Sequence, residues 1–223
     1  KGNLLIPGLH DHHTHLIAYA ASLASINCGP PNVASEADLK SALRAQPGRH
    51  WLRGTGYHES VSGHLDRQWL DTWAPDRPIR IQHRSGRLWI LNSLGMEIIA
   101  KSAVSMTPHE QDRLTNEDGR LYDVDELLGK LTRSEMPPVK LASQQLAAFG
   151  VTGINDMTPS NNAETWQWFS ELQASQDLLQ KVRMSGRPAL GRCQRTPRLF
   201  VGETKVHLHD SSLPDFGDFV STI

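Results

Sequence analysis

Two rhythms of apolar and polar positions alternate along this 223-residue chain, one of period 2 and one near 3.6. The apolar run Leu4-Leu5-Ile6 predicts a strand, which Pro7-Gly8 bends before a histidine-rich stretch ending at Leu16. A small-residue helix is expected over 18–26. Ser35, with Asp38 three residues on, predicts an N-cap for a helix over 36–45. Trp51 to Tyr57 predicts a short strand, Arg67 to Trp73 a short helix, Pro78 to His83 a strand and Leu88 to Ala100 a helix. Thr107 to Tyr122 is polar and turn-rich, with 116–119 a hairpin or lid loop. Beyond Pro137 a helix over 139–149 closes on Gly150. It is followed by a strand at 151–157, a helix at 164–179, strands at 182–184 and 203–208, and a helix from Pro214. Such strand–helix alternation predicts βαβ units and a parallel sheet, an α/β fold.

Composition adds mainly exclusions. Net charge is −1 and the isoelectric point is about 6.9, which argues against a nucleic-acid binder or a membrane-surface protein. No apolar run approaches the roughly 20 residues of a membrane-spanning helix. Lys1-Gly2 lead straight into the first strand, without the pattern of a signal peptide. Cys28 and Cys193 are the two cysteines; their spacing forms no metal pair and fits a reducing cytoplasm, the expected location, although one disulfide stays open.

The chemistry concentrates in Leu9-His10-Asp11-His12-His13-Thr14-His15-Leu16. Residues i and i+2 of a strand share a face, so His13 and His15 point together and Asp11 joins them. Imidazole is the commonest protein ligand for zinc and suits iron, nickel and copper. Isolated histidines are more often surface or hydrogen-bonded core residues. The apolar strand running through Pro-Gly into Asp-x-His-x-His favours a metal site.

That segment, Pro7 to Leu16, resembles the first-strand signature of the amidohydrolase superfamily. Further segments resemble its family 3 branch, which includes N-substituted formamide deformylase-like proteins. They are Gly54-Thr55-Gly56-Tyr57, Leu70-Asp71 with Ala74-Pro75-Asp76-Arg77-Pro78, and His83-Arg84-Ser85-Gly86 with Asn92-Ser93. Asp118-Gly119-Arg120-Leu121, Gly150 through Asp156, and Thr204-Lys205-Val206 complete an ordered set over nearly the whole chain.

The resemblance implies a partial (β/α)8 TIM-type barrel of about four strands, at 3–9, 151–157, 181–186 and 203–209. Residues 1–19 would hold the first strand and its ligand loop, 20–135 a long insertion covering the barrel mouth, and 136–223 strands two to four with their helices. A complete barrel takes about 250 residues, so the chain is expected to be part of a longer protein.

It further implies that His13 and His15 bind the more buried metal. Lys205 would be carboxylated to bridge two ions; pairing with a carboxylate or snorkelling from the strand end is the alternative. His207 and His209 share the face of Lys205. His209 stands where many relatives carry an acidic residue, which leaves the ligand from this strand open, and His207 reads better as a core or supporting histidine. His12 is expected to pack beneath the site and Asp11 to orient a ligand from behind. His83, Arg84 and Ser85 either contact substrate or form a turn fixed by Gly86. Tyr57 is a substrate-contact candidate too, with His58 and Glu59 weaker ones, and Asp156 could line the pocket. The proton-shuttling aspartate would lie beyond Ile223.

The expected activity is metal-dependent hydrolysis of amide or other C–N bonds in small molecules. The expected cofactor is a divalent metal, zinc first, as one or two ions. The substrate would be a small molecule, with no nucleic-acid or membrane partner; homo-oligomerisation stays open. The rival is a non-catalytic metal-binding or scaffold protein, a truncated half-barrel. A serine or cysteine nucleophile has little support, since no G-x-S-x-G elbow occurs and neither cysteine has a neighbouring catalytic histidine motif.

Overall fold

The computed structural model describes residues 5–46, 48, 50–132, 137–206, 208 and 213–222. Two compact units emerge: Lys1–Leu23 with Pro137–Ile223, and Ala24–Met136.

The first unit opens with β1 (Leu9–Thr14) and α1 (Leu16–Leu23). Leu5 and Ile6, expected in the first strand, are instead exposed and lie outside it. The strand starts after Pro7-Gly8, not before it. Pro7 has no N–H to give a ladder. Gly8 permits close approach to the neighbouring strand, because a Cβ there would sit 2.3 Å from Thr152 Oγ1. His10, His12 and His13 therefore lie on the strand itself, and His15 lies one residue past its end.

The second unit carries β2 (Ile26–Asn27), α2 (Glu36–Arg44), β3 (Leu52–Tyr57), α3 (Glu59–Ser62), α4 (Arg67–Trp73), β4 (Ile79–His83) and β5 (Leu88–Leu91). It continues with α5 (Ser93–Ser102), α6 (Pro108–Arg113), β6 (Arg120–Tyr122) and α7 (Asp125–Leu131). The sheet order is β2-β3-β4-β5-β6. The first three strands are parallel and the last two pairings antiparallel. Ser35 caps α2 in a full capping box with Asp38. The helix expected over 88–100 is split. Leu88 to Leu91 are buried on both faces, which suits a central strand, and Asn92 then caps α5.

The first unit resumes with α8 (Val139–Ala148), β7 (Val151–Asp156), α9 (Ala163–Ala174), β8 (Lys181–Gly186), β9 (Leu199–Thr204) and α10 (Phe216–Thr222). Its sheet runs β1-β7-β8-β9, every pairing parallel. Ile154, Val182, Met184 and Leu199 pack against Leu16, Ala20, Val139, Ala142, Leu146, Trp166 and Phe169, so the helices cover one face. At about 25 cal/mol per Å² of apolar area buried, such a layer dominates the stability of the unit. Among the described residues the sheet is open along β1 and β9, and they close no barrel.

The last strand also departs from expectation. It spans 199–204 rather than 203–209, with Lys205 just past its end, donating its N–H to Gly186 O at 2.7 Å. Gly202 allows the close approach here, since a Cβ would sit 2.5 Å from Ser185 Oγ. His207 and His209 lie outside the described residues.

Asn92 is the polar joint of the second unit. Its buried Oδ1 accepts the N–H of Ile79 and of Gly95, both at 2.9 Å, while Nδ2 donates to Arg77 O at 2.8 Å and Ala74 O at 3.3 Å. Replacing Asn92 by Ala loses a cap and strands buried backbone groups, so the expected cost is about 3 kcal/mol. Urea unfolding followed by tryptophan fluorescence measures it; a loss below about 0.5 kcal/mol would refute the role.

Candidate metal centre

The carboxyl ends of β1, β7, β8 and β9 share one rim of a parallel sheet, where α/β folds place their chemistry. His13, near the end of β1, and His15, one residue past it, reach that rim. Their ring centroids are 5.3 Å apart and the ring planes are inclined at 72°. Two imidazoles bound to one zinc at about 2.0–2.1 Å and near the tetrahedral angle hold their rings at about this separation. The period-2 reading of the strand thus brings the expected pair together. The other two histidines form a second pair, with His10 and His12 rings 4.6 Å apart. His10 Nε2 lies 2.9 Å from Asn155 Oδ1. A cavity of about 420 Å³ lined by Gly8, His10, Thr152, Lys181, Arg183 and Phe200 adjoins this pair and includes neither His13 nor His15. His12 is exposed, not packed beneath the site as expected.

Asp11 acts on backbone. Its Oδ1 accepts the N–H of His13 at 2.9 Å, so it fixes the strand's course into the site instead of orienting an imidazole nitrogen. The partner of the His15 ring is Thr158, whose Oγ1 lies 3.1 Å from Nδ1. This contact leaves Nε2 of His15 available. Asp156, a pocket-lining candidate from sequence, is fully buried and holds the frame. Oδ2 accepts the N–H of Leu16 at 2.9 Å; Oδ1 accepts Thr158 N–H at 3.0 Å and Asn161 Nδ2 at 2.9 Å. Thr158 and Asn161 were not anticipated from the sequence. The available signal was Asp156 followed by a hydroxyl residue two positions on, a local turn pattern at a strand end.

The pKa of His15 is lowered from its ordinary value, first by partial burial, then by the neighbouring His13 and Lys205; Asp156 opposes them. Lys205 therefore lies near enough to His15 for its charge to be felt. A neutral imidazole is the ligating form. In donor chemistry the pair fits two positions of a divalent cation. Among the described residues no group of three or more His, Cys, Asp or Glu could hold a metal ion, so the fit extends to two imidazoles with Lys205 beside them.

The other expected contacts lie in the second unit. His83 Nδ1 lies 2.8 Å from Ser85 Oγ and accepts the N–H of Ser85 at 3.1 Å; its Nε2 meets Glu59 Oε2 at 3.1 Å, and its ring stacks on His58 at 6.1 Å. Gly86, at φ 77°, closes the turn and donates its N–H to His83 O. The turn is real, and Arg84 is exposed upon it. Tyr57, expected to touch substrate, is instead fully buried, and its hydroxyl donates to Gly63 O at 2.8 Å. It has no exposed atom with which to meet a ligand, because its place on β3 points it into the apolar cluster of that unit.

The chain belongs to the amidohydrolase family, whose family 3 model matches residues 1–220. It is 26% identical over 115 residues to N-substituted formamide deformylase of Arthrobacter pascens, covering 48% of this chain and 21% of that protein. It is 25% identical over 114 residues to protein LONG AFTER FAR-RED 3 of Arabidopsis thaliana, covering 48% and 19%. The matched part is thus about a fifth of either relative's length. Among solved structures, uncharacterized metal-dependent hydrolases of Pyrococcus horikoshii OT3 and Pyrococcus furiosus superpose with TM-scores of 0.66 and 0.61 at 18% identity. Each superposition covers 89% of this chain, and 42% and 43% of theirs. At that identity the likeness establishes the mixed α/β fold. No helix among the described residues is long and apolar enough to cross a membrane.

Burial pushes the Tyr57 phenol up to about 12, with the Glu59 charge adding to it. The fold favours the neutral phenol, so its contribution to stability is complete below the ordinary value of 10 and is lost between pH 10 and about 12. One of the three tyrosines should therefore ionise late in an ultraviolet titration of the native protein, and Tyr57→Phe should remove that component. Three phenols titrating together near 10 would contradict the burial.

Proposed function

We propose that this chain is part of a metal-dependent hydrolase that cleaves amide or other C–N bonds in small molecules. The observation that carries the proposal is the His13–His15 pair, edge to face on a sheet rim, in a chain of the amidohydrolase family. The four parallel strands would then be the first half of a (β/α)8 barrel, with the rim as its catalytic end.

His13 and His15 would hold the ion, zinc by the chemistry of its nitrogen donors. Such a cation lowers the pKa of water to about 7 and polarises a scissile carbonyl. Asp11 and Asp156 keep the two histidines on course through the backbone, as their hydrogen bonds support. Lys205 sits at the same rim, close enough to influence His15. Carboxylation would turn its ammonium, which cannot ligate a cation, into a pair of hard oxygens. Two imidazoles alone are fewer protein ligands than the three usual in catalytic zinc sites. A donor set of this size also suits the rival reading, a weak metal-binding protein without catalysis.

The experiment is metal removal and replacement. Dialysis against a chelator should abolish amide hydrolysis by the full-length protein, and added Zn²⁺ should restore it. Changing His13 and His15 together to Ala should lower bound metal by at least tenfold in elemental analysis. Undiminished hydrolysis after stripping, or stoichiometric metal in the double variant, sinks the proposal. Metal bound without hydrolysis by the full-length protein favours the rival.

A further inference from the structure

We infer that Thr158 is a positioning residue for His15: its hydroxyl accepts the Nδ1–H of the imidazole and so holds the Nε2 lone pair out toward the rim, ready for a cation. The inference rests on reading His15 as a ligand and adds to that reading a residue which selects the ligating atom.

The geometry is a closed loop of contacts. Thr158 Oγ1 lies 3.1 Å from His15 Nδ1. Thr158 is itself anchored by its N–H to Asp156 Oδ1 at 3.0 Å. The other carboxylate oxygen, Oδ2, accepts the N–H of Leu16, the residue after His15, at 2.9 Å. One buried carboxylate thus ties down the backbone beside the ring and the backbone carrying the ring's partner. Asn161 Nδ2 bridges that carboxylate to Ser185 O, both at 2.9 Å, which fixes the clamp to β8. The neighbouring strand adds Met157 N–H to Thr14 O at 2.8 Å. The backbone that carries the hydroxyl is thus held beside the ring.

The polarity of the contact decides the consequence. With the hydroxyl accepting, the proton sits on Nδ1 and Nε2 is a free base. With the hydroxyl donating, the proton sits on Nε2 and blocks the cation. Residues that fix the tautomer of a ligating histidine are worth about 10–100-fold in metal affinity.

The test compares the full-length protein with its Thr158→Val variant, which keeps the shape and removes the hydroxyl, and its Thr158→Ser variant, which restores it. Nitrogen-15 NMR of the metal-free protein reads the His15 tautomer, and competition with a chromophoric chelator reads Zn²⁺ affinity. Thermal melting without metal shows that each variant folds. Expected are an Nδ1–H tautomer in the parent and the Ser variant, a mixture in the Val variant, and a 10–100-fold weaker Zn²⁺ affinity in the Val variant alone. A parent His15 protonated on Nε2 overturns the inference, as does a Val variant with unchanged tautomer and affinity. If the parent takes up no Zn²⁺ yet keeps a tautomer that Thr158→Val releases, the ligand reading fails and the positioning by Thr158 stands.

Discussion

One buried carboxylate organises the candidate site. Asp156 accepts hydrogen bonds from the chain just after His15, from the chain carrying Thr158, and from Asn161. The two backbone N–H groups and the Asn161 amide would otherwise be unsatisfied donors near a strand end, at a cost of about 1–3 kcal/mol each. The carboxylate satisfies them together and ties the chain after β1 to the loop after β7. His13 and His15 are presented at the end of β1, but the frame against which they are presented comes from β7.

The parallel sheet explains why that frame exists where it does. Parallel strands joined by helices bring all their carboxyl ends to one side, so residues distant in sequence meet without long side chains. His15, Asp156 and Lys205 come from the ends of the first, second and fourth strands of the unit. The apolar layer beneath them, from Ile154 and Met184 to Trp166 and Phe169, is rigid enough to hold this spacing. Polar residues occupy the opposite face: Arg183 pairs with Glu203, and His10 meets Asn155.

Local signals were legible in the sequence and long-range ones were not. The Ser35–Asp38 capping box, the helix at 67–73 and the Gly150 stop each depend on neighbours a few residues away, and each is found. Strand periodicity predicts that His13 and His15 share a face, and their rings do meet, although His15 lies one residue past β1 and the ladder is irregular between Asp11 and Thr14. Leu4-Leu5-Ile6 is the most apolar stretch near the start and so predicts the strand too early, whereas the ladder forms where Gly8 lets two backbones meet. The strand Leu88–Leu91 cannot be told from the start of a helix in sequence, because a short apolar run has no periodicity to separate the two. Tyr57 shared a motif with pocket residues, but a motif does not reveal which way a strand side chain faces. Thr158 was invisible because its importance lies in a ring 143 positions earlier.

If His13 and His15 bind one cation, both imidazoles enter its coordination shell. X-ray absorption spectroscopy of the zinc-loaded protein reads that shell. Imidazole scattering from two histidines around each zinc is expected, lost when His13 and His15 are changed together. Zinc surrounded by oxygen alone, or the same imidazole signal after both histidines are gone, would contradict it.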